Sequence, residues 1–335
     1  MKQYKVVRFM INRNDGASEY DFQIDNALKD RLNKFSYVVK DIKDYKSLPR
    51  VLALIIFWLH AQYILFFGKV DIAISSPWML LIYPKRVSII CISHHYDPSV
   101  FKGLRKLYVK LSHWLFIFQR SRIEAVVSCS KYWSHYYKEK GFKNAVTIFN
   151  GFDIKSMDHS LIMSKNSSVL SRFGLTSKEY LHFGSYGPSK GQEVAFKHLK
   201  HFGLPMIATS SSKKVLIEHI KDIKFINANF DEYNILLKNA KATVCMSEFK
   251  EGWCRVLHEA AIHGTPIIGS GLGGMRELLE IGSFTASTPD KLSDDLNIRT
   301  KEISLSEDKI NLYRAFTLEK FYQAWRLCVL ELLDV

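Results

Sequence analysis

Short apolar runs alternate with helical stretches along almost the whole chain, and that alternation leaves few ways to fold. Residues 4–10 (YKVVRFM) read as a strand, a turn-rich NRNDGAS follows, and a helical stretch runs to Leu32. The unit recurs, with strands at 36–39, 71–75, 87–92 and 124–128 and helices at 49–67 and 102–119. Apolar strands separated by helices pair in parallel, in a sheet covered on both faces. A polar stretch rich in Ser and Asn, such as 164–168, interrupts the pattern, and a linker is expected over 153–172. Strands then restart near 179–184, 205–208, 223–226, 242–246 and 266–269. At 335 residues the chain exceeds one hydrophobic core, so it is predicted to be α/β, with two doubly wound domains facing a cleft. A last helix near 309–332 carries a long apolar stripe that needs a surface to bury against.

Charge separates the two halves. Residues 1–150 carry 24 Lys and Arg against 11 Asp and Glu, whereas residues 151–335 carry 23 against 22. The basic half is expected to meet something anionic: a membrane surface, a phosphorylated acceptor or nucleic acid. The five cysteines (Cys91, Cys129, Cys245, Cys254 and Cys328) are widely spaced without a CxxC pair, and read as free thiols in a reducing compartment. The first ten residues lack the apolar core of a signal peptide, and a cytoplasmic location is expected. Residues 51–68, VLALIIFWLHAQYILFFG, are 18 without formal charge, close to a spanning length. His60 and Gln62 interrupt the run and a strand follows it, which predicts a helix buried on a sheet, with a membrane-surface helix as the alternative.

Ligands of open α/β sheets sit at the carboxyl ends of strands, so chemistry is sought in the loops that follow them. After the strand YLHF comes Gly184-Ser185-Tyr186-Gly187-Pro188-Ser189-Lys190-Gly191, opening a helix. Glycines let backbone amides approach phosphate oxygens, and Lys190 adds a mobile positive charge. An ordinary turn before a helix explains the same residues. The second loop is more specific. After ATVCM comes SEFKEGWCRVLHEAAIHGTPIIGSGLGGMRELLE, with Glu251 in the loop and Glu259 two turns into a helix that starts near Gly252–Cys254. The helix start aims its amides at an anionic group, and a carboxylate beside such a site is tolerated where ligand hydroxyls donate to it, as sugars do.

These residues resemble the retaining glycosyltransferases of family 4, of the GT-B fold, most strongly over 179–280. Glu251 and Glu259 look like that family's paired glutamates, followed by HGTPIIGS and GGMRE where the family has GxPVV and GGxxE. The resemblance implies that Glu251 contacts the donor sugar and Glu259 the nucleotide ribose. It also implies that Gly252, Trp253, Cys254 and the amides of Arg255 and Val256 lie along the donor, and that Lys190 binds phosphate. Two departures stand out: Ser185 occupies the family's arginine position, and Cys254 its glycine. Either Arg255 compensates, or the donor is bound unusually, or activity has been lost. In the first half, Gly16 looks like a shortened glycine-rich loop, and His94 like the family's cleft histidine, with His95 as the alternative. His95, Tyr96 and Asp97 then fall on the acceptor side. NGFD at 150–153 looks like the interdomain hinge, with Asp153 capping.

The domains implied are an acceptor-binding Rossmann-like domain over 1–160, a nucleotide-sugar domain over 161–312, and a helix at 313–335 returning to the first. A UDP-, GDP- or ADP-sugar donor, a glycan or lipid-linked acceptor and retention of configuration follow from the resemblance. No cofactor and no metal are expected, and no DxD motif is present. The segment 102–122, whose basic residues sit beside Trp114, Phe116 and Phe118, suggests contact with an anionic bilayer, at the inner face of the cell membrane. The competing readings are a catalytically silent relative, suggested by Ser185, and a nucleic-acid-binding protein using the basic half. The second has no recognised motif behind it.

Overall fold

The computed structural model describes all residues except 1–3, 11–15, 30–34, 46, 164–165, 186, 188, 210–221, 302–304 and 333–335. The chain divides into two compact units, Met1–Gly151 with Leu318–Val335, and Phe152–Thr317. The division falls at Gly151, earlier than the expected 160.

In the first unit the order is β1 (Tyr4–Met10), α1 (Gly16–Lys29), β2 (Phe35–Asp41), α2 (Arg50–Phe67), β3 (Ile72–Ser75), β4 (Ser88–Ile92), α3 (Gly103–Phe118), β5 (Ala125–Ser128), α4 (Lys131–Glu139) and β6 (Ala145–Thr147). The six strands form one parallel sheet in the order β2-β1-β3-β4-β5-β6, so the winding reverses direction between β1 and β3. The three-residue β6 is too short to stand out from the sequence pattern.

The second unit contains α5 (Ile154–Met163), α6 (Asn166–Arg172), β7 (Leu181–Ser185), α7 (Gln192–Leu199), β8 (Met206–Thr209), β9 (Ile223–Ile226), α8 (Phe230–Asn239), β10 (Ala242–Cys245), α9 (Arg255–Ile262), β11 (Ile267–Gly269), α10 (Met275–Ile281), α11 (Leu292–Lys301) and α12 (Glu307–Arg314). Its sheet is also parallel, ordered β11-β10-β7-β8-β9, with the reversal between β7 and β10. Both faces are covered, as the alternation requires. On β8, Met206 and Ala208 join one apolar cluster and Ile207 the other.

Three expectations are corrected. The stretch 153–172 is largely helix, not linker: Asp153 caps α5 by accepting from the Ser156 amide at 3.1 Å and its hydroxyl at 2.7 Å. The long helix near 309–332 is two helices, α12 and α13 (Leu318–Glu331). Between them Phe316 accepts a hydrogen bond from the Phe152 amide at 2.9 Å, and Thr317 pairs with Phe152, so the backbone turns extended where the chain changes unit. Finally, α2 is only half buried. Ala53, Phe57, Ala61 and Leu65 face the core, but Leu59 and Tyr63 on the opposite side are 54% and 62% exposed.

Helix α13 belongs to the first unit and packs on α1. Tyr20 of α1 meets Phe321 and Trp325 edge-on at 5.0 and 6.3 Å, and donates to the Ile148 carbonyl at 2.8 Å. The approach is close enough that a Cβ on Gly151 would lie 2.8 Å from Phe321. Trp325 is fully buried. Replacing it by Ala is expected to destabilise the first unit by about 3–5 kcal/mol, read by urea unfolding; a loss under about 1 kcal/mol would contradict this packing.

Candidate functional site

The reversal in the second sheet opens a crevice between the loops that leave the carboxyl ends of β7 and β10. Both loops carry the residues singled out by sequence. They are stitched together by backbone: the Glu248 amide donates to the Ser189 carbonyl at 2.9 Å. Gly191, at φ +72°, lies so close to the end of β10 that a Cβ there would sit 1.9 Å from the Met246 carbonyl oxygen. Glycine is required at this point both for conformation and for space.

This stitching sets Lys190 against Glu251, with Nζ to Oε1 at 2.7 Å. Glu251 also accepts from the Ser247 hydroxyl at 2.6 Å and is nearly buried, while Lys190 remains about one-third exposed, its ammonium 4.9 Å from the centre of the Phe249 ring. Burial disfavours the charge on Lys190, but the Glu251 carboxylate, its hydrogen bond and the nearby Cys254 and Cys245 together outweigh it and hold the lysine above its ordinary pKa. The backbone of Glu251 is pinned as firmly as its side chain. Its amide donates to Leu272 at 3.2 Å and its carbonyl accepts from Gly274 at 2.9 Å. Gly273, at φ +67°, could not carry a Cβ without one falling 2.4 Å from the Glu251 oxygen. The GGMRE segment therefore serves to fix the acidic loop.

Helix α9 begins at Arg255, later than expected, so Glu259 lies one turn in rather than two. Cys254 at its start provides no side-chain cap. The Arg255 amide closes a tight turn on the Trp253 carbonyl at 3.2 Å, which leaves the Val256 side of the helix start as the better anion donor. Glu259 accepts from the Tyr233 hydroxyl of α8 at 2.7 Å and pairs with Arg255 at 3.2 Å. The Arg255 guanidinium also lies over the Phe152 ring, 4.7 Å from its centre. Arg255 is thus held between Glu259 and the Phe152 ring.

Trp253 does not turn toward the crevice. Its indole N–H donates to Nδ1 of His258 at 3.0 Å in the core. Since indole can only donate, Nδ1 accepts, and Nε2–H of His258 donates to the Tyr313 carbonyl at 2.9 Å. Trp253 thus acts as a buried strut, and any contact it makes with a donor is through backbone. Cys254 is buried too, near Cys245, whose thiol is raised well above its ordinary pKa by the hydrogen bond with Cys254 and by burial. Gly252 is buried beside them. Ser185 ends β7, and its side chain lies outside the described residues, as does Tyr186.

In the first unit, Gly16 opens α1 after the reversal strand β1. His94 follows β4; its ring meets Tyr20 edge-on at 4.9 Å, and its Nε2 lies 3.8 Å from Asp21. Asp21 in turn pairs at 2.7 Å with Arg8, a fully buried guanidinium that also reaches Asp25 at 2.7 Å. Sequence reading passed over Arg8; its only signal was a charge inside an apolar strand. Ser247 and Tyr233, which hold the two glutamates, carried no signal at all. His95 and Tyr96 line a recess with Ser93, Ser112, His113 and Tyr137, where Tyr96 stacks on His113 at 3.5 Å. Asp97 caps a local turn, accepting from the Ser99 amide at 2.9 Å. Among the described residues no cluster of His, Cys, Asp and Glu could hold a metal ion.

No family model matches the chain, and no curated protein matches its sequence. Solved structures do match over nearly its full length. HepE from Anabaena, in complex with UDP-glucose, is 16% identical and covers 97% of this chain and 99% of its own, at a TM-score of 0.71. Sucrose-phosphate synthase from Thermosynechococcus elongatus is 13% identical, covering 99% and 100%, at 0.73. A glycosyltransferase from Rickettsia africae is 13% identical, covering 99% of each, at 0.65. At this identity the likeness establishes the fold, which is GT-B.

Two consequences follow for stability. Replacing Gly191 by Ala is expected to lower stability by about 1–3 kcal/mol in thermal unfolding, because strain and the Met246 clash add; an unchanged melting temperature would contradict the stitched loops. Burial holds His182 and His258 at a pKa of about 3, against 6.5 for the free side chain. The unfolded chain therefore takes up protons that the folded one refuses, so stability is complete above about pH 6.5 and falls as the pH is lowered toward 3. Each histidine is expected to forfeit about 1.4 kcal/mol at about pH 5.5, read by urea unfolding; a flat profile between there and neutrality would contradict their burial.

Proposed function

We propose that this chain is a glycosyltransferase that moves a sugar from a UDP-, GDP- or ADP-sugar to a glycan or lipid-linked acceptor, with retention of configuration. The observation that carries the reading is the Lys190–Glu251 pair, 2.7 Å apart at the reversal point of the second sheet. Breaking the bond from C1 to the phosphate oxygen leaves a diphosphate and a positive sugar ring, so the site must supply positive potential beside the leaving group and acceptor groups beside the sugar. Lys190 and the start of α9 supply the first. Glu251 supplies the second, since its oxygens suit sugar hydroxyls once the lysine turns to phosphate. In this reading Glu259, which Tyr233 and Arg255 steady, accepts from the ribose.

Retention is assigned by similarity to family 4, through front-face attack with the departing phosphate taking the acceptor proton. The two glutamates have separate partners and are not used as an acid and nucleophile pair. No resident divalent metal is required by this scheme. The acceptor is assigned to the first unit, near His94 and His95, and the excess of basic residues there suits a phosphorylated or membrane-held acceptor at the inner face of the cell membrane.

A thermal-shift panel of UDP-, GDP- and ADP-sugars tests the donor: one member at 100 times its dissociation constant stabilises the fold by about 2.7 kcal/mol. Lys190→Ala and Glu251→Ala are each expected to reduce turnover of that donor by about 10²–10³. Binding without turnover would favour the catalytically silent reading, and no stabilisation by any member would overturn the assignment.

A further inference from the structure

Helix α2 is apolar on both its inner and outer faces, broken by His60 and Gln62, but is buried on one side only. Opposite its core stripe, Leu52, Ile55, Leu59, Tyr63 and Phe66 repeat at helical spacing and are 43–62% exposed. Helix α3 repeats the arrangement. Val109, Ser112, His113 and Phe116 are buried, and Leu104, Leu107, Leu111, Trp114 and Phe118 are 50–85% exposed. The exposed side of α3 is thus largely apolar, with Arg105, Lys106 and Lys110 beside the leucines, unlike the uniformly polar face that an ordinary amphipathic helix turns outward.

The two helices clamp the same short segment. Gln62 of α2 exchanges both hydrogen bonds with Ile82, at 2.8 and 2.9 Å. Gln119, at the end of α3, donates to Leu81 at 2.9 Å and accepts from the Tyr83 amide at 2.8 Å. Leu81 and Tyr83 are buried between them, and Ile82 is itself 47% exposed. Cations flank the apolar side chains of α3: Lys102, Arg105, Lys106 and Lys110 toward one end, Arg120 and Arg122 beyond the other, all exposed. The sequence holds no carboxylate between Asp97 and Glu124.

We infer that α2, Ile82 and α3 form one surface that enters the interfacial layer of an anionic bilayer, lying on it without crossing. Charge selects this occupant. A second copy packed on the same face would set cations against cations, whereas anionic headgroups neutralise them as the leucines and aromatics leave water. Trp114 and Tyr63 suit the headgroup level, where an apolar ring with one polar atom is most at ease. Among the described residues no helix is long and apolar enough to cross a membrane, which fits a surface-lying pair. This deepens the membrane part of the preceding reading and is independent of the donor chemistry.

The full chain is to be sedimented with vesicles of phosphatidylcholine alone and of phosphatidylcholine with phosphatidylglycerol, at low and high salt. Binding to the anionic vesicles is expected, with a fraction surviving high salt because part of the attraction is apolar. The double variant Leu59→Glu/Leu107→Glu, which removes two exposed leucines and no cation, is expected to reduce partitioning by about tenfold. Its melting temperature and its stabilisation by donor are expected to match the parent, which separates failure here from failure of the donor reading. Equal partitioning of variant and parent would overturn the inference, as would no binding to either vesicle. A dimer in gel filtration that the variant dissolves and vesicles do not displace would overturn it in favour of a second copy.

Discussion

The ion pair between Lys190 and Glu251 depends on two loops being held at van der Waals contact, and much of the second unit exists to hold them there. A parallel sheet that winds one way from β7 and the other way from β10 leaves a gap at the carboxyl ends of those strands. Two glycines in left-handed conformation close it: Gly191 against Met246, and Gly273 against the backbone of Glu251. A side chain at either would force the lysine and the glutamate apart. The pair is poised rather than inert, because Lys190 is partly exposed while Glu251 keeps a second donor in Ser247 if the lysine leaves. An anion that draws away Lys190 therefore does not strand a buried carboxylate without a donor.

Each unit has its own polar anchor. Beneath the crevice, Trp253, His258 and the Tyr313 carbonyl form a chain of hydrogen bonds with fixed directions, and Phe152, Phe316 and Tyr313 pack around the imidazole. The start of α9 is thereby anchored from below. In the first unit, the corresponding anchor is Arg8, whose charge would be intolerable in a buried strand without Asp21 and Asp25. That cluster sits beside His94, so its geometry is set by the same ion network.

Most of the architecture was legible because strand and helix periods differ and the chain repeats the alternation faithfully. What escaped notice did so for physical reasons. The Ser and Asn of 153–172 read as a linker, yet Asp153 caps a helix whose Met157 is buried, and polar residues are no obstacle on its outer face. The break between α12 and α13 has no Pro or Gly to announce it; pairing of Phe316 and Thr317 with Phe152 imposes it from outside the local sequence. The extent of α2's exposed side was not fixed by sequence, which left a buried helix and a membrane-surface helix both open, because periodicity alone cannot say which of two apolar faces the core takes. At the candidate site the glutamates and lysine were legible from spacing and similarity. Tyr233 and Ser247 were not, since a tyrosine or serine becomes a carboxylate's partner only through the fold.

The central claim is that Lys190 exchanges its carboxylate for a diphosphate while Glu251 turns to the sugar. A crystal structure with a bound sugar nucleotide, or with the nucleoside diphosphate and free sugar, measures this directly. The account predicts the lysine Nζ within hydrogen-bond distance of a phosphate oxygen, more than 4 Å from Glu251, and a sugar hydroxyl on the Glu251 carboxylate. A nucleotide bound elsewhere, or one bound here with the 2.7 Å ion pair intact, would contradict it.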